Sequence, residues 1–81
     1  MTIYQFTLLN EKDKADLVLN SILVAEKQDD DRLFQLYYLD NIFVEIWHDR
    51  ELRRIYSMRP YSFKRIPEEY LDMISIGEIA E

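Results

Sequence analysis

The chain has 81 residues, no cysteine and a net charge of −6, with 48% hydrophobic and 14% aromatic residues. This composition excludes disulfide and thiolate chemistry, and it is too apolar for a disordered chain. We expect a single α+β domain over residues 1–81, located in the cytoplasm, because we see neither a signal peptide nor an apolar stretch that could span a membrane.

The first half of the chain predicts a strand, a long helix and a loop. Residues 2–9 are rich in β-branched and aromatic side chains and predict a strand. Asn10 is a favourable N-cap with Asp13 three residues later, and a broad apolar arc follows, which predicts one helix to about Lys27. Residues 28–32, with three consecutive aspartates, predict a loop.

The second half predicts a three-stranded antiparallel meander and a short C-terminal helix. Residues 33–48 indicate a β-hairpin whose turn is Asp40-Asn41, since both residue types tolerate positive φ. A third strand is expected over residues 53–61, with Ile46 opposite Ile55. Pro67 fits the first turn of a terminal helix that ends near Gly77.

The hairpin carries large apolar side chains on both faces. We expect the long helix to cover the face with Val44, because the opposite face carries the carboxylate of Glu45, which is costly to bury without a partner. The second face is then a candidate interface, or it is covered by the C-terminal segment. The candidate interface residues are Phe34, Leu36, Tyr38, Phe43, Trp47, Arg54, Tyr56 and Met58.

The sequence contains no catalytic or metal-binding pattern, so we predict neither an enzyme nor a bound cofactor or metal. His48 is the only histidine, and it is interpreted as a surface residue beside a turn. The aspartates at 29–31 lack the alternating oxygens, glycine and glutamate of a calcium-binding loop. The serines lack the glycine-flanked elbow of a nucleophile.

Positive charge is concentrated in one segment. Residues 50–65 contain six basic side chains and one acidic side chain. Aromatic rings beside basic residues are typical of platforms that bind single-stranded nucleic acid, but the net negative charge disfavours this function. The alternative is that these arginines pair with acidic residues of the same sheet, with Arg54 beside Glu45 or over Trp47.

Three stretches of the chain resemble a set of bacterial proteins of this length whose function is unassigned. They are Tyr4-Gln-Phe-Thr-Leu-Leu-Asn10, Leu36-Tyr-Tyr-Leu-Asp-Asn-Ile-Phe-Val-Glu-Ile46 and Tyr70-Leu-Asp-Met-Ile74. The resemblance implies one domain in a bacterial cytoplasm and assigns no site residues.

Three functions are left open by the sequence. The first is a small protein-interaction module that binds a protein partner or itself, as a homodimer, through the aromatic face. The second is an acidic antitoxin- or immunity-type inhibitor of a basic partner. The third is a single-stranded nucleic-acid binder. No membrane partner is expected.

Overall fold

Four antiparallel strands in the order β1-β2-β3-β4 form one sheet, and short helices precede and follow it. The computed structural model describes residues 1–73. The elements are α1 (Ile3–Thr7), α2 (Glu11–Leu19), β1 (Ile22–Asp29), β2 (Arg32–Leu39), β3 (Ile42–Asp49), β4 (Arg54–Tyr61), a 3₁₀ turn (Phe63–Arg65) and α3 (Glu68–Leu71). The α+β class is therefore confirmed, and the sheet has four strands, but the first of them is β1 and not the predicted residues 2–9.

The predicted first strand is wrong, because the chain begins with the short helix α1. Thr2 is its N-cap, and its hydroxyl accepts a hydrogen bond from the amide of Gln5. The Gln5 side chain in turn accepts one from the amide of Thr2. This reciprocal capping box satisfies two amides that would otherwise lack partners in the first turn, and it stabilises a helix that is too short to form by propensity alone.

The predicted long helix is wrong beyond residue 19. Its N-terminus is confirmed, since the Asn10 side chain accepts a hydrogen bond from the amide of Asp13. The helix then ends at Asn20, whose side chain donates to the carbonyl of Asp16, while the Ser21 hydroxyl donates to the carbonyl of Val18. Such side-chain bonds compete with helix continuation, and the chain turns into β1.

The predicted hairpin between β2 and β3 is confirmed in its turn and its register. Asp40 and Asn41 have φ values of 44° and 75°, as a two-residue turn with two positive φ angles requires. Leu39 lies opposite Ile42, and Tyr37 lies opposite Val44.

The predicted register of β4 is wrong by three residues. Ile46 lies opposite Met58 rather than Ile55, and the pairing shifts again at a bulge next to Trp47. The cause lies in the loop: Asp49 accepts a hydrogen bond from the amide of Leu52, and the loop extends to residue 53, which has positive φ. An odd shift exchanges the faces, so Met58 lies on the Val44 face.

The Val44 face is covered by helices, as predicted, although two helices share it. Phe6 of α1 and Val18 of α2 are fully buried there. They pack against Val44 and Ile46 in one cluster that also includes Tyr37 and Ile42. The two short helices therefore cover the face that one long helix was predicted to cover.

The opposite face, which we call the aromatic face, is covered by the segment that follows β4. Ile66 and Tyr70 are buried and pack against Phe34, Leu36 and Phe43. The predicted terminal helix is present as α3 directly after Pro67. Its predicted end near Gly77 lies outside the described residues. The sheet is thus apolar on both faces, and the chain itself covers both.

Candidate interaction surfaces

The predicted aromatic interface is largely buried within the chain. Phe34, Leu36 and Phe43 belong to the buried cluster beneath Ile66 and Tyr70, and the expectation that they form an open surface is wrong. Tyr38 and Trp47 are half-buried, and Arg54 and Tyr56 are exposed, whereas Met58 is on the other face. The eight residues do not form one exposed surface in this structure.

Glu45 fixes the covering segment to the aromatic face. Its carboxylate is buried and accepts hydrogen bonds from Trp47 Nε1 at 2.9 Å and from the Tyr70 hydroxyl at 2.6 Å. Burial, together with this bond to the carboxylate, raises the pKa of Tyr70 well above its ordinary value. A buried carboxylate needs such donors, so Glu45 favours the covered state of the face that it was expected to keep open.

Lys27 of β1 also contacts the segment that covers the aromatic face. Its ammonium group lies 3.4 Å from the Glu69 carboxylate and 5.0 Å from the centre of the Tyr70 ring. The pKa of Glu69 is lowered by the hydrogen bond it accepts from its own backbone amide at the start of α3, and then by Lys27. Because Glu69 is exposed, this ion pair contributes little to stability in water.

Trp47 is held from several sides at one end of the aromatic face. The Phe34 ring meets it edge-on at 4.9 Å, and the Arg59 guanidinium lies 5.1 Å from the indole centre. The predicted cation above Trp47 is thus Arg59 and not Arg54, a direct consequence of the register shift. The ring plane of Tyr56 lies within 19° of the indole plane, with centres 6.4 Å apart.

Apolar side chains are instead exposed where α2 passes into β1. Ile22 is 61% exposed and Leu23 46% exposed, on opposite faces of β1. Leu17 and Leu19 of α2 are also exposed. We call Ile22 and Leu23 the β1-edge surface. Within residues 1–73, no strand pairs with the outer edge of β1, so its backbone and these side chains are available together.

The other edge of the sheet, β4, is protected against pairing. Pro60 lies within it opposite Val44 and lacks an amide donor. Arg54 and Arg59 are exposed on the same strand, and charged side chains on an edge oppose the addition of another strand. α1 also packs beside β4. Among residues 1–73, the β1 edge is the one that combines exposed apolar side chains with a backbone that no strand pairs.

The sequence analysis missed the β1-edge surface because it continued the helix through it. Two signals in the sequence point to the end of the helix. Asn20-Ser21 follows the last helical turn, and both residue types favour helix ends over helix interiors. Ile22 and Val24 are β-branched, which favours a strand.

The only histidine belongs to a polar cluster on the helix-covered face. His48 Nε2 lies 2.8 Å from Gln35 Oε1, which also accepts from the Tyr37 hydroxyl, and Gln35 Nε2 donates to Glu26. Burial lowers the pKa of His48, and the Glu26 carboxylate partly opposes this. Since the Gln35 oxygen can only accept, Nε2 carries a proton. The cluster contains no nucleophile beside the histidine.

Charged side chains alternate across one end of the sheet. The register places Asp29 opposite Arg32, Arg32 opposite Asp49, and Asp49 opposite Arg54. Of the basic segment, Arg54 lies opposite Asp49, whereas Glu45 lies opposite Arg59, so the predicted pairing of Arg54 with Glu45 is wrong. Among residues 1–73 there is no group of three or more histidine, cysteine or acidic side chains with metal-site geometry.

Comparison of the chain with protein families, with curated proteins and with solved structures finds no match. None of the helices within the described part is long and apolar enough to cross a membrane.

Proposed function

We propose that this protein is a small homotypic interaction module that pairs through the β1 edge. The observation that carries this proposal is the exposure of Ile22 and Leu23 at the start of an edge strand whose outer side pairs with no strand within residues 1–73. A symmetric dimer is the commonest assembly of identical chains, and edge pairing extends a sheet with backbone hydrogen bonds. This proposal assigns the interface to the β1 edge, whereas the sequence analysis assigned it to the aromatic face.

An antiparallel arrangement of two β1 strands fits the distribution of charge along the strand. The apolar residues Ile22 and Leu23 lie at its beginning, and the exposed acidic residues Glu26 and Asp29 lie toward its end. With a two-fold axis near Leu23, the apolar ends of the two copies meet, and the acidic ends point away from each other. A parallel arrangement would place the carboxylates of both copies side by side.

The interface depends on side chains as much as on the backbone. A bulge follows Leu23 in the pairing of β1 with β2, and bulges bend and twist a strand. The segment that can pair with a second copy is therefore short, and Ile22 and Leu23 have to supply apolar contact in addition to the backbone hydrogen bonds. Loss of one of these apolar side chains occurs in both copies of a symmetric dimer and should weaken it at least about tenfold, since full burial of such a side chain contributes about 1.5–3 kcal/mol.

Sedimentation equilibrium across a wide concentration range tests this proposal with three proteins. Wild type should form dimers as concentration rises, and Leu23→Lys should remain monomeric in the same range. The matched control is Leu52→Lys, because Leu52 is 58% exposed on the loop between β3 and β4, away from the β1 edge. It should dimerise like wild type. A monomeric wild type, or equal loss in both variants, would overturn the proposal.

An inhibitor of a basic partner is the second candidate, supported by the exposed aspartates 29–31 beside the end of β1. The dependence of binding on salt concentration distinguishes self-association from inhibition of a basic partner. Each copy carries a charge of −6, so self-association should strengthen as salt screens the repulsion between copies. Binding to a basic protein by charge complementarity should weaken with salt.

A further inference from the structure

We infer that the cavity beside Trp47 is a binding site for one planar heteroaromatic ring, of the size and polarity of a pyrimidine base. The cavity has a volume of about 170 Å³ and is lined by Arg32, Trp47, His48, Asp49 and Tyr56. An apolar cavity of about 150 Å³ is enough to hold benzene, so the space suits a single ring rather than a fused pair.

The indole of the lining is fixed before a ligand arrives. Trp47 donates its indole N–H to the buried Glu45 and meets the Phe34 ring edge-on, which leaves its plane little freedom. Tyr56 is 69% exposed and lies nearly parallel to the indole. The Arg59 guanidinium already lies over the indole, and the Tyr56 ring is too near the indole for a third ring to enter between them. A flat ligand therefore stacks on the exposed Tyr56 ring beside the indole, and the pre-positioned indole reduces the entropy lost on binding.

The polar part of the lining selects for a neutral ligand with both donors and acceptors. Arg32 offers only donors, and Asp49 offers acceptors, one of which already binds the Leu52 amide and so orients the carboxylate. The His48 imidazole is bound to Gln35 on the other face of the sheet. Arg32 and Asp49 lie opposite each other in the pairing of β2 with β3, so their charges offset one another. A neutral pyrimidine edge can bind both, because it presents donors and acceptors together.

Such a ring could come from a free nucleoside or from a single strand of nucleic acid. The net charge of −6 opposes the approach of a polyanion. A neutral nucleoside is therefore the source that the charge favours. Arg32 pairs with Asp29 at the end of β1, whereas Ile22 and Leu23 lie at the beginning of that strand. The cavity is therefore separate from the β1-edge surface, and its test does not depend on the state of association.

Trp47 is the only tryptophan, so its fluorescence reports directly on the cavity. Wild-type protein is titrated at low salt with uridine and cytidine, and separately with a short oligothymidine. We expect saturable quenching by a nucleoside. Tyr56→Ala should weaken it about tenfold, which is within the range for loss of one stacked ring. Arg32→Ala should also weaken it.

Two matched controls keep this test specific. Tyr4 is 71% exposed on α1, and Arg65 is exposed after β4, so Tyr4→Ala and Arg65→Ala remove the same side-chain types away from the cavity. Both should bind like wild type, and circular dichroism should show all four variants folded. Quenching by oligothymidine alone, lost in Tyr56→Ala, would support the ring site with a strand as its source. No quenching by any probe, or quenching that Tyr56→Ala and Tyr4→Ala share, would overturn the inference.

Discussion

The aromatic face and the β1 edge are both rich in apolar side chains, yet the aromatic face is buried and the β1 edge is exposed. On the aromatic face, the chain after β4 returns and buries Phe43 and Leu36 beneath Ile66 and Tyr70. At the β1 edge, Ile22 and Leu23 remain exposed. Apolar composition therefore identifies a surface that needs a cover, and only the tertiary fold decides whether the cover is the chain itself or a second molecule.

The largest expected effect separates the two regions by stability. Phe43→Ala should lower the free energy of unfolding by about 3–5 kcal/mol, because it leaves a cavity in the cluster under Tyr70. Urea denaturation followed by far-ultraviolet circular dichroism measures this loss. Leu23→Lys is the comparison and, at a concentration where wild type is monomeric, should change stability by less than about 0.5 kcal/mol, as expected for a surface position. A stable Phe43→Ala protein would mean that the aromatic face is not a core.

The next effect concerns the hydrogen bond between Tyr70 and Glu45, which attaches the segment after β4 to the aromatic face. Tyr70→Phe removes the hydroxyl that donates to Glu45 at 2.6 Å. Unfolding free energy should fall by about 1–3 kcal/mol, since a buried carboxylate loses one of its donors. Tyr56→Phe is the matched control, because the Tyr56 side chain is exposed. Equal stability of the two variants would show that the bond to Glu45 does not hold the cover in place.

The effect of salt on association sharpens the account of the β1 edge. Raising ionic strength should strengthen the wild-type dimer several-fold, because copies of charge −6 repel each other and salt screens this repulsion. Sedimentation equilibrium at low and high salt measures the change. A dimer that dissociates as salt is added would indicate contacts between opposite charges rather than the apolar pairing proposed here.

The smallest effect is expected on the helix-covered face, at His48. Burial lowers its pKa below the unfolded value of 6.5, so protonation favours the unfolded chain. The stability of the folded chain with neutral His48 is fully present above pH 6.5. The free energy of unfolding then falls as the pH drops below 6.5 through the lowered pKa of the folded state. His48→Gln should make the unfolding free energy less dependent on pH in this window. An unchanged pH dependence would show that His48 is not desolvated in solution.

The sequence predicted the parts of this fold that depend on local chemistry. The Asp40-Asn41 turn fixed the register of β2 with β3, and Asn10 marked the start of α2. Thr2-Ile3-Tyr4-Gln5 also carried a readable signal, the capping box, but its apolar side chains favoured a strand. Where two local signals disagreed, the hydrogen bonds of the cap decided the outcome.

The remaining features depend on distant parts of the chain. The register of β4 follows from a four-residue loop and a bulge, and neither is fixed by alternation of side chains. The burial of Glu45 depends on Tyr70, which is 25 residues away. The β1 edge could be identified only after the helix end at Asn20 was known. The candidate surface was therefore the part least accessible to the sequence.

Backbone amide hydrogen exchange at two protein concentrations tests the central claim most directly. We predict that exchange in residues 22–24 slows as concentration rises, that exchange in β4 does not change, and that Leu23→Lys abolishes the slowing at β1. Exchange in β1 that is independent of concentration, or slowing confined to β4, would contradict the assignment of the β1 edge as the surface that binds a second copy.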